Sequence, residues 1–255
     1  MPARVRTLAR GRAVTPVWRN QLGGLTFEVQ SDARREFIKW APTGSDTALK
    51  PEIARLRWAA SYMDVPKVLD YGSDDAGTWL ITEGVPGYNA VCDRWKAEPK
   101  TAVIAIGEGL RALHDTLPVN ECPFSWTAET RLAEVHRLAA QGRLGPAHWH
   151  PEHQALDVRT AVQIADQPPP IDKLVVCHGD ACAPNTLIGD DGNWTGHVDF
   201  GSLGVADRWA DLAIATWSTQ WNYGPGWERR LLDAYGIDPD PIRTAYYRLL
   251  WDLGP

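Results

Sequence analysis

The chain contains no Cys-x-x-Cys pair, no surplus of basic residues and no apolar run long enough to span a membrane. Each absence narrows what it can be. Four cysteines (Cys92, Cys122, Cys177 and Cys182), none spaced as a metal clip, argue against a disulfide-rich or zinc-bound scaffold and for free thiols in a reducing compartment. A net charge of −6 argues against nucleic acid as a partner, because phosphate binding needs a basic surface. Residues 1–12 are basic but carry no apolar stretch of the signal-peptide kind. With no membrane partner implied either, a cytoplasmic protein is expected. No internal repeat or low-complexity tract interrupts the chain. What is present is 255 residues, 44% of them hydrophobic, enough for one large domain or two lobes.

The first third reads as strands. Residues 18–40 are extended chain broken by turns, with Gly23 and Gly24 between Asn20-Gln21-Leu22 and Leu25, and a hairpin turn at 30–32. Residues 36–40 alternate as a half-buried strand does. Pro51 opens a helix over 52–62, with Ile53, Leu56 and Ala60 on one face. Residues 68–71 and 78–81 form two more strands around a turn at 73–77. The turn-forming run Gly84-Val85-Pro86-Gly87 is the best boundary. Beyond it the pattern is mostly helical: 98–117, 130–141, 152–165, 207–219, 227–235 and 239–250, with short strands at 174–177, 185–188 and 196–200. The pattern implies an α+β protein with a strand-rich lobe over 1–84, a linker at 85–87 and a helical lobe over 88–255.

Between these strands lies the chemistry. Asp180, four residues, Asn185, then Asp199-Phe200-Gly201 is the spacing that kinase-type phosphoryl transfer uses. Such transfer needs a nucleotide held still, its charge neutralised by Mg²⁺ and a hydroxyl aimed in line. Asp180, in a loop after a buried strand, suits the base that accepts or orients the hydroxyl proton. Asn185 can lend a neutral oxygen to the metal and Asp199 an anionic one, both hard donors of the kind Mg²⁺ prefers. Lys39 lies on a strand ahead of an acidic helix, placing it as the phosphate lysine with Glu52 as its ion-pair partner. Gly23-Gly24 is a candidate phosphate-covering turn, although no G-x-G-x-x-G is present. His178 and His197 read as braces for the loop.

Taken together, His178-Gly-Asp-Ala-Cys-x-Pro-Asn185 and Val198-Asp-Phe-Gly-x-Leu-Gly-Val-Ala-Asp-Arg208 resemble the aminoglycoside 3′-phosphotransferases. Glu52-x-Ala-Arg-Leu-x-Trp58, Val85-Pro-Gly87, Leu113-His114, Cys122-Pro-Phe124 and Tyr247-Arg-Leu-Leu250 extend the resemblance along nearly the whole chain. It implies a two-lobed protein-kinase-like fold and an ATP- and Mg²⁺-dependent O-phosphotransferase. In that family's terms Asp180 is the catalytic base, Asn185 and Asp199 hold magnesium, Lys39 and Glu52 serve the phosphates, and Thr82 to Val85 hold adenine. The acceptor implied is a hydroxylated, aminoglycoside-like small molecule, the protein a monomer or homodimer, and the role antibiotic resistance.

The acceptor side departs from the family. Its acidic positions are filled here by Ser218, Trp221 and Asn222, and no acid occurs between Asp211 and Glu228. Glu152, Asp252 and the terminal carboxylate of Pro255 are the acids left near the expected pocket. Trp149, Trp217, Trp221, Tyr223 and Trp227 read either as a flat ligand surface or as core. Two other readings therefore stay open: a kinase of this fold for a non-aminoglycoside metabolite or antibiotic, and a degenerate nucleotide sensor without turnover. A protein kinase is disfavoured by the absence of a long activation loop and of Ala-Pro-Glu.

Overall fold

The computed structural model describes residues 1–20, 23–30, 35–45 and 49–254. The expected hairpin turn at 30–32, the Gln21-Leu22 pair and the Pro255 carboxylate fall wholly or partly outside them.

A five-stranded antiparallel sheet forms the first part of the chain. Its strands are β1 (Val14–Arg19), β2 (Leu25–Gln30), β3 (Arg35–Pro42), β4 (Lys67–Asp74) and β5 (Gly77–Glu83), ordered β1-β2-β3-β5-β4. Strand period decides the faces: Ile38 is buried against Phe27, Val29 and Ile81, so Phe37 and Lys39 point the other way, into a cleft. The basic N-terminus, for which the sequence suggested no element, is a short helix α1 (Ala3–Ala9). It closes the opposite face with Val5 and Ala9. β1 begins at Val14, ahead of the expected start at Trp18. Helix α2 (Leu49–Ala59) begins two residues before Pro51. A proline is tolerated there because first-turn amides lack partners in any case.

After β5 the chain leaves this sheet. β6 (Tyr88–Asn89) pairs instead with β8 (Thr186–Ile188), which pairs with β9 (Trp194–His197). β7 (Leu174–Cys177) pairs with β10 (Gly204–Asp207), a strand the sequence reading placed partly in a helix. Around these ribbons pack α3 (Asp93–Ala97), α4 (Pro99–Thr116), α5 (Ala128–Ala140), α6 (Val158–Ala165), α7 (Trp209–Tyr223), α8 (Glu228–Tyr235) and α9 (Pro241–Asp252). The result is a mixed α+β architecture with an antiparallel β lobe and a helical lobe.

Two sequence expectations shift for tertiary reasons. The helix expected from residue 152 starts at Val158, where the Asp157 side chain caps it by accepting from the Thr160 amide. Residues 150–153 are drawn into turns by contacts to Asp252. The strand expected over 196–200 ends at His197. Asp199 then turns into the left-handed region at φ 67°, and Phe200 begins a 3₁₀ turn. Trp149 and Trp217 are core residues, whereas Trp221 remains 45% exposed. The four cysteines are all free.

Three buried clusters organise the interior. One fills the helical lobe and one lies under α1. The third joins Leu49, Ile53 and Leu56 of α2 and Leu80 of β5 to Leu113, Leu117, Val176, Phe200 and Leu203. That third cluster spans both lobes. No helix among the described residues is long and apolar enough to cross a membrane.

Candidate active site

A cleft of about 920 Å³ opens between the sheet and the helical lobe, and Lys39, Glu52, Asp180, Asn185 and Asp199 all line it. The volume suits a nucleotide with part of a second ligand. Lys39 is held at mid-strand, opposite Thr26 and Leu80. Its Nζ donates to Glu52 Oε1 at 2.6 Å and also to the Asp199 carboxylate. Burial alone would lower the lysine's pKa, but Asp199 and then Glu52 outweigh it and raise it, so the ammonium is charged at every working pH. Burial would likewise raise Asp199, yet Lys39 holds it below the ordinary carboxylate range.

Asp199 is one of two non-glycine residues with positive φ among the described residues. For an L-residue this conformation costs about 1–2 kcal/mol. What it achieves is direction: the strand ends and the carboxylate turns back toward Lys39, while Phe200 goes into the core at 0% exposure.

The loop carrying Asp180 is fixed from behind. His178 Nε2 donates to the Val198 carbonyl at 2.9 Å, so Nδ1 is left as an acceptor and takes the Asp180 amide at 3.2 Å. Asn185 Nδ2 donates to the Asp180 carbonyl at 2.9 Å, which leaves Oδ1 as its remaining polar atom. Gly179 has φ 81°, and a Cβ there would lie 2.2 Å from the Ser202 carbonyl oxygen. The histidine thus acts through hydrogen bonds within the loop.

Asp211 is the residue that sequence reasoning missed. Fully buried on α7, it accepts the amides of His178 at 2.6 Å and Gly179 at 2.9 Å. A signal was available. An aspartate inside Trp-Ala-Asp-Leu-Ala-Ile-Ala has to be buried with its helix, and a buried carboxylate requires partners.

At the opposite end, Thr82 and Val85 line the cleft where the sheet ends, with the Gly84 amide donating to the Arg35 carbonyl at 2.8 Å. The Arg35 guanidinium donates to the Gly87 carbonyl at 2.8 Å and pairs with Glu28 at 2.7 Å, tying β2, β3 and the linker together. Gly23 and Gly24 sit in a tight turn, Gly23 at φ 87° and the Gly24 amide on Asn20 Oδ1 at 2.7 Å. Trp18, Arg19 and Asn20, rather than the glycines, line the cleft beside that turn.

The acceptor-side residues separate. Trp221 and Asn222 line the cleft, and Trp251, unnoticed in the sequence, joins them. Ser218 lies at the cleft wall but is 0% exposed, its hydroxyl taken by the Ala183 amide at 2.9 Å. Asp252 is not on the wall: Oδ2 accepts from the His150 amide at 3.0 Å and from His153 Nδ1 at 2.6 Å. Glu152 is exposed outside the cleft, 3.9 Å from His150.

Known proteins resemble the chain in sequence and fold. Residues 18–247 match the model of the phosphotransferase enzyme family. An aminoglycoside 3′-phosphotransferase from Streptomyces fradiae is 36% identical over 234 residues, 88% of this chain and 86% of that one. A solved aminoglycoside 3′-phosphotransferase of type VIII superposes with a TM-score of 0.81 at 29% identity, covering 98% of this chain and 97% of its own. An aminoglycoside phosphotransferase from Streptomyces rimosus, solved with ADP and streptomycin, gives 0.74 at 27% identity with 99% of both chains covered.

Proposed function

This chain belongs to the phosphotransferase enzyme family, and on that premise we propose that it moves the γ-phosphate of ATP to a hydroxyl of an aminoglycoside-type small molecule. The observation that carries the reading is one cleft holding Lys39 between two carboxylates together with Asp180 and Asn185. In the step itself, the bond from the γ-phosphorus to the ADP oxygen breaks. A bond to the acceptor oxygen forms, and Asp180 takes the hydroxyl proton. Lys39, kept charged and in place by Glu52, neutralises the α- and β-phosphates. Backbone groups around Thr82 to Val85 receive adenine, and the turn bearing Gly23 and Gly24 covers the phosphates.

The donor set suits Mg²⁺. Asn185 Oδ1 and the Asp199 carboxylate are hard oxygen donors, and the asparagine's nitrogen is already occupied by Asp180. Magnesium bound there would neutralise charge on the phosphate oxygens. We assign residues 1–84 to nucleotide binding, 85–87 to the linker and 88–255 to the catalytic loop and acceptor. A cytoplasmic enzyme that inactivates an antibiotic is the role this supports.

Asp180→Asn is the test. Transfer, read as phosphorylated acceptor by mass spectrometry, should disappear while the affinity for a fluorescent ATP analogue stays within about twofold. Undiminished transfer in Asp180→Asn would sink the assignment of the base. A wild-type protein that binds nucleotide but phosphorylates nothing in a broad panel of hydroxylated antibiotics would favour a sensor.

A further inference from the structure

We propose that the acceptor face of the cleft takes a hydroxylated ring carrying at most one ammonium group, stacked on Trp221 and Trp251. The inference rests on the phosphotransfer reading of the same site and narrows its substrate.

The acceptor wall is built by the segment after β6, the Asp180 loop and the C-terminal ends of α7 and α9. Beside Asp180 it presents Val91, Cys92, Cys182, Trp221, Asn222 and Trp251, none of them anionic. Among the described residues on this side of the cleft, Asp180 is the lining carboxylate, and the acceptor's reacting hydroxyl needs it. Among the described residues, the other acids near this wall are spent or elsewhere. Asp252 is closed off by His150 and His153. Glu152 stays outside, and Glu228 takes hydrogen bonds from Gln220 and the Gly226 amide.

Trp217 lies tilted against Trp221, with 43° between the rings and 5.2 Å between their centres, and the Arg248 guanidinium carbon lies 5.3 Å from the Trp217 ring centre. An acceptor with several ammonium groups would surrender their hydration here without gaining free carboxylate partners among the described residues. A ring face, by contrast, gains from the exposed indole of Trp221, which Trp217 braces through a tilted contact. One cation can be met by an indole face, which sets the limit at one. Asn222 supports a hydroxyl rather than an ammonium. Its Nδ2 is committed to the Ser218 carbonyl at 2.8 Å, leaving a neutral carbonyl oxygen as acceptor.

The test measures binding and transfer separately. Wild type and Asn222→Asp, each saturated with Mg·ADP, are titrated calorimetrically with an aminocyclitol antibiotic bearing four amines and with the same compound N-acetylated on three of them. Wild type should bind the acetylated compound at least tenfold more tightly. Asn222→Asp should shift that ratio at least tenfold toward the tetra-amine, in a manner that fades with added salt. Trp221→Ala, a change at an exposed position, should weaken the acetylated compound about tenfold and leave ADP affinity unaltered. Tighter binding of the tetra-amine by wild type overturns the proposal, as does binding of neither compound. Phosphate transfer from Mg·ATP is measured in parallel: preferential binding without transfer would sink the phosphotransfer reading alone.

Discussion

Asp211 and His114 meet in full burial, with Nε2 of the histidine 3.0 Å from Oδ2 of the aspartate. Nδ1 of the same ring lies 2.9 Å from the Tyr235 hydroxyl, so the network assigns the proton to Nε2 and makes the tyrosine a donor. With the two amides of His178 and Gly179, three donors converge on one carboxylate. The loop carrying Asp180 is therefore anchored to α7, and through His114 to α4 and α8.

Asp211→Asn should act through position rather than chemistry. The amide presents a donor where only donors arrive, and the loop loses an anchor. Stability should fall by about 3–5 kcal/mol, the usual result of breaking a buried pair. Denaturant unfolding reads the loss. Transfer should drop at least about tenfold in kcat, with nucleotide affinity changed far less.

Glu52→Gln tests the division of Lys39 between two carboxylates. Without the Glu52 charge the ammonium leans wholly on Asp199, whose oxygen the proposed magnesium would also need. We expect kcat/KM for ATP to fall roughly 10- to 100-fold, a loss of about 1.4–2.7 kcal/mol. Steady-state kinetics over a magnesium series checks this, since the defect should shrink as free magnesium rises. A defect independent of magnesium would mean that the glutamate acts in some other way.

Gly179→Ala places a methyl against the Ser202 carbonyl in a backbone conformation that alanine avoids. The loop must move, so soluble protein should retain nucleotide binding but lose at least about 2 kcal/mol of stability and most of its transfer. Gly201→Ala is the control, because nothing lies within 4 Å of its Cβ and its φ is not in the left-handed region. That variant should melt near wild type.

Alkaline stability should report two buried phenols. Burial pushes Tyr235 and Tyr246 up to about 12, and Tyr246 donates to the Ala165 carbonyl at 2.9 Å. Unfolded tyrosine ionises near 10, so above that pH the unfolded chain loses protons that the folded chain keeps. Their contribution is thus full below pH ~10 and lost as pH rises toward ~12, up to about 3 kcal/mol for each. Denaturation midpoints across this range should decline, and Tyr246→Phe should decline less steeply. An identical slope in the variant would exclude the tyrosine as a source.

How much of this was legible in the sequence follows from distance along the chain. Asp180, Asn185 and Asp199 lie within one loop and one hairpin, so spacing alone brought them together. Lys39 and Glu52 needed only a strand and the next helix. Asp211's role was not legible, because its partners come from α4 and from the loop. Asp252 and Ser218 were legible as residue types near the pocket. Whether their polar atoms were free depended on His150, His153 and Ala183, which only packing supplies. The same holds for helix α6, whose delayed start follows from Asp252 pulling on residues 150–153. Strand β10 was missed because Gly204 to Asp207 is short and its pairing to β7 is remote in sequence.

The apolar cluster shared by α2, α4 and the Phe200 turn has a consequence for how the protein is made. Leu49, Ile53 and Leu56 emerge from the ribosome early, yet Leu113, Val176, Phe200 and Leu203 that cover them are synthesised as much as 150 residues later. Until then the apolar side of the helix bearing Glu52 is covered only in part, by β4 and β5. The first 84 residues cut free would leave it so and tend to aggregate. Because Phe200 follows Asp199 directly, the late arrival that seats α2 also brings up the second carboxylate of Lys39. The strand-rich lobe thus completes its packing only when the helical lobe has been translated.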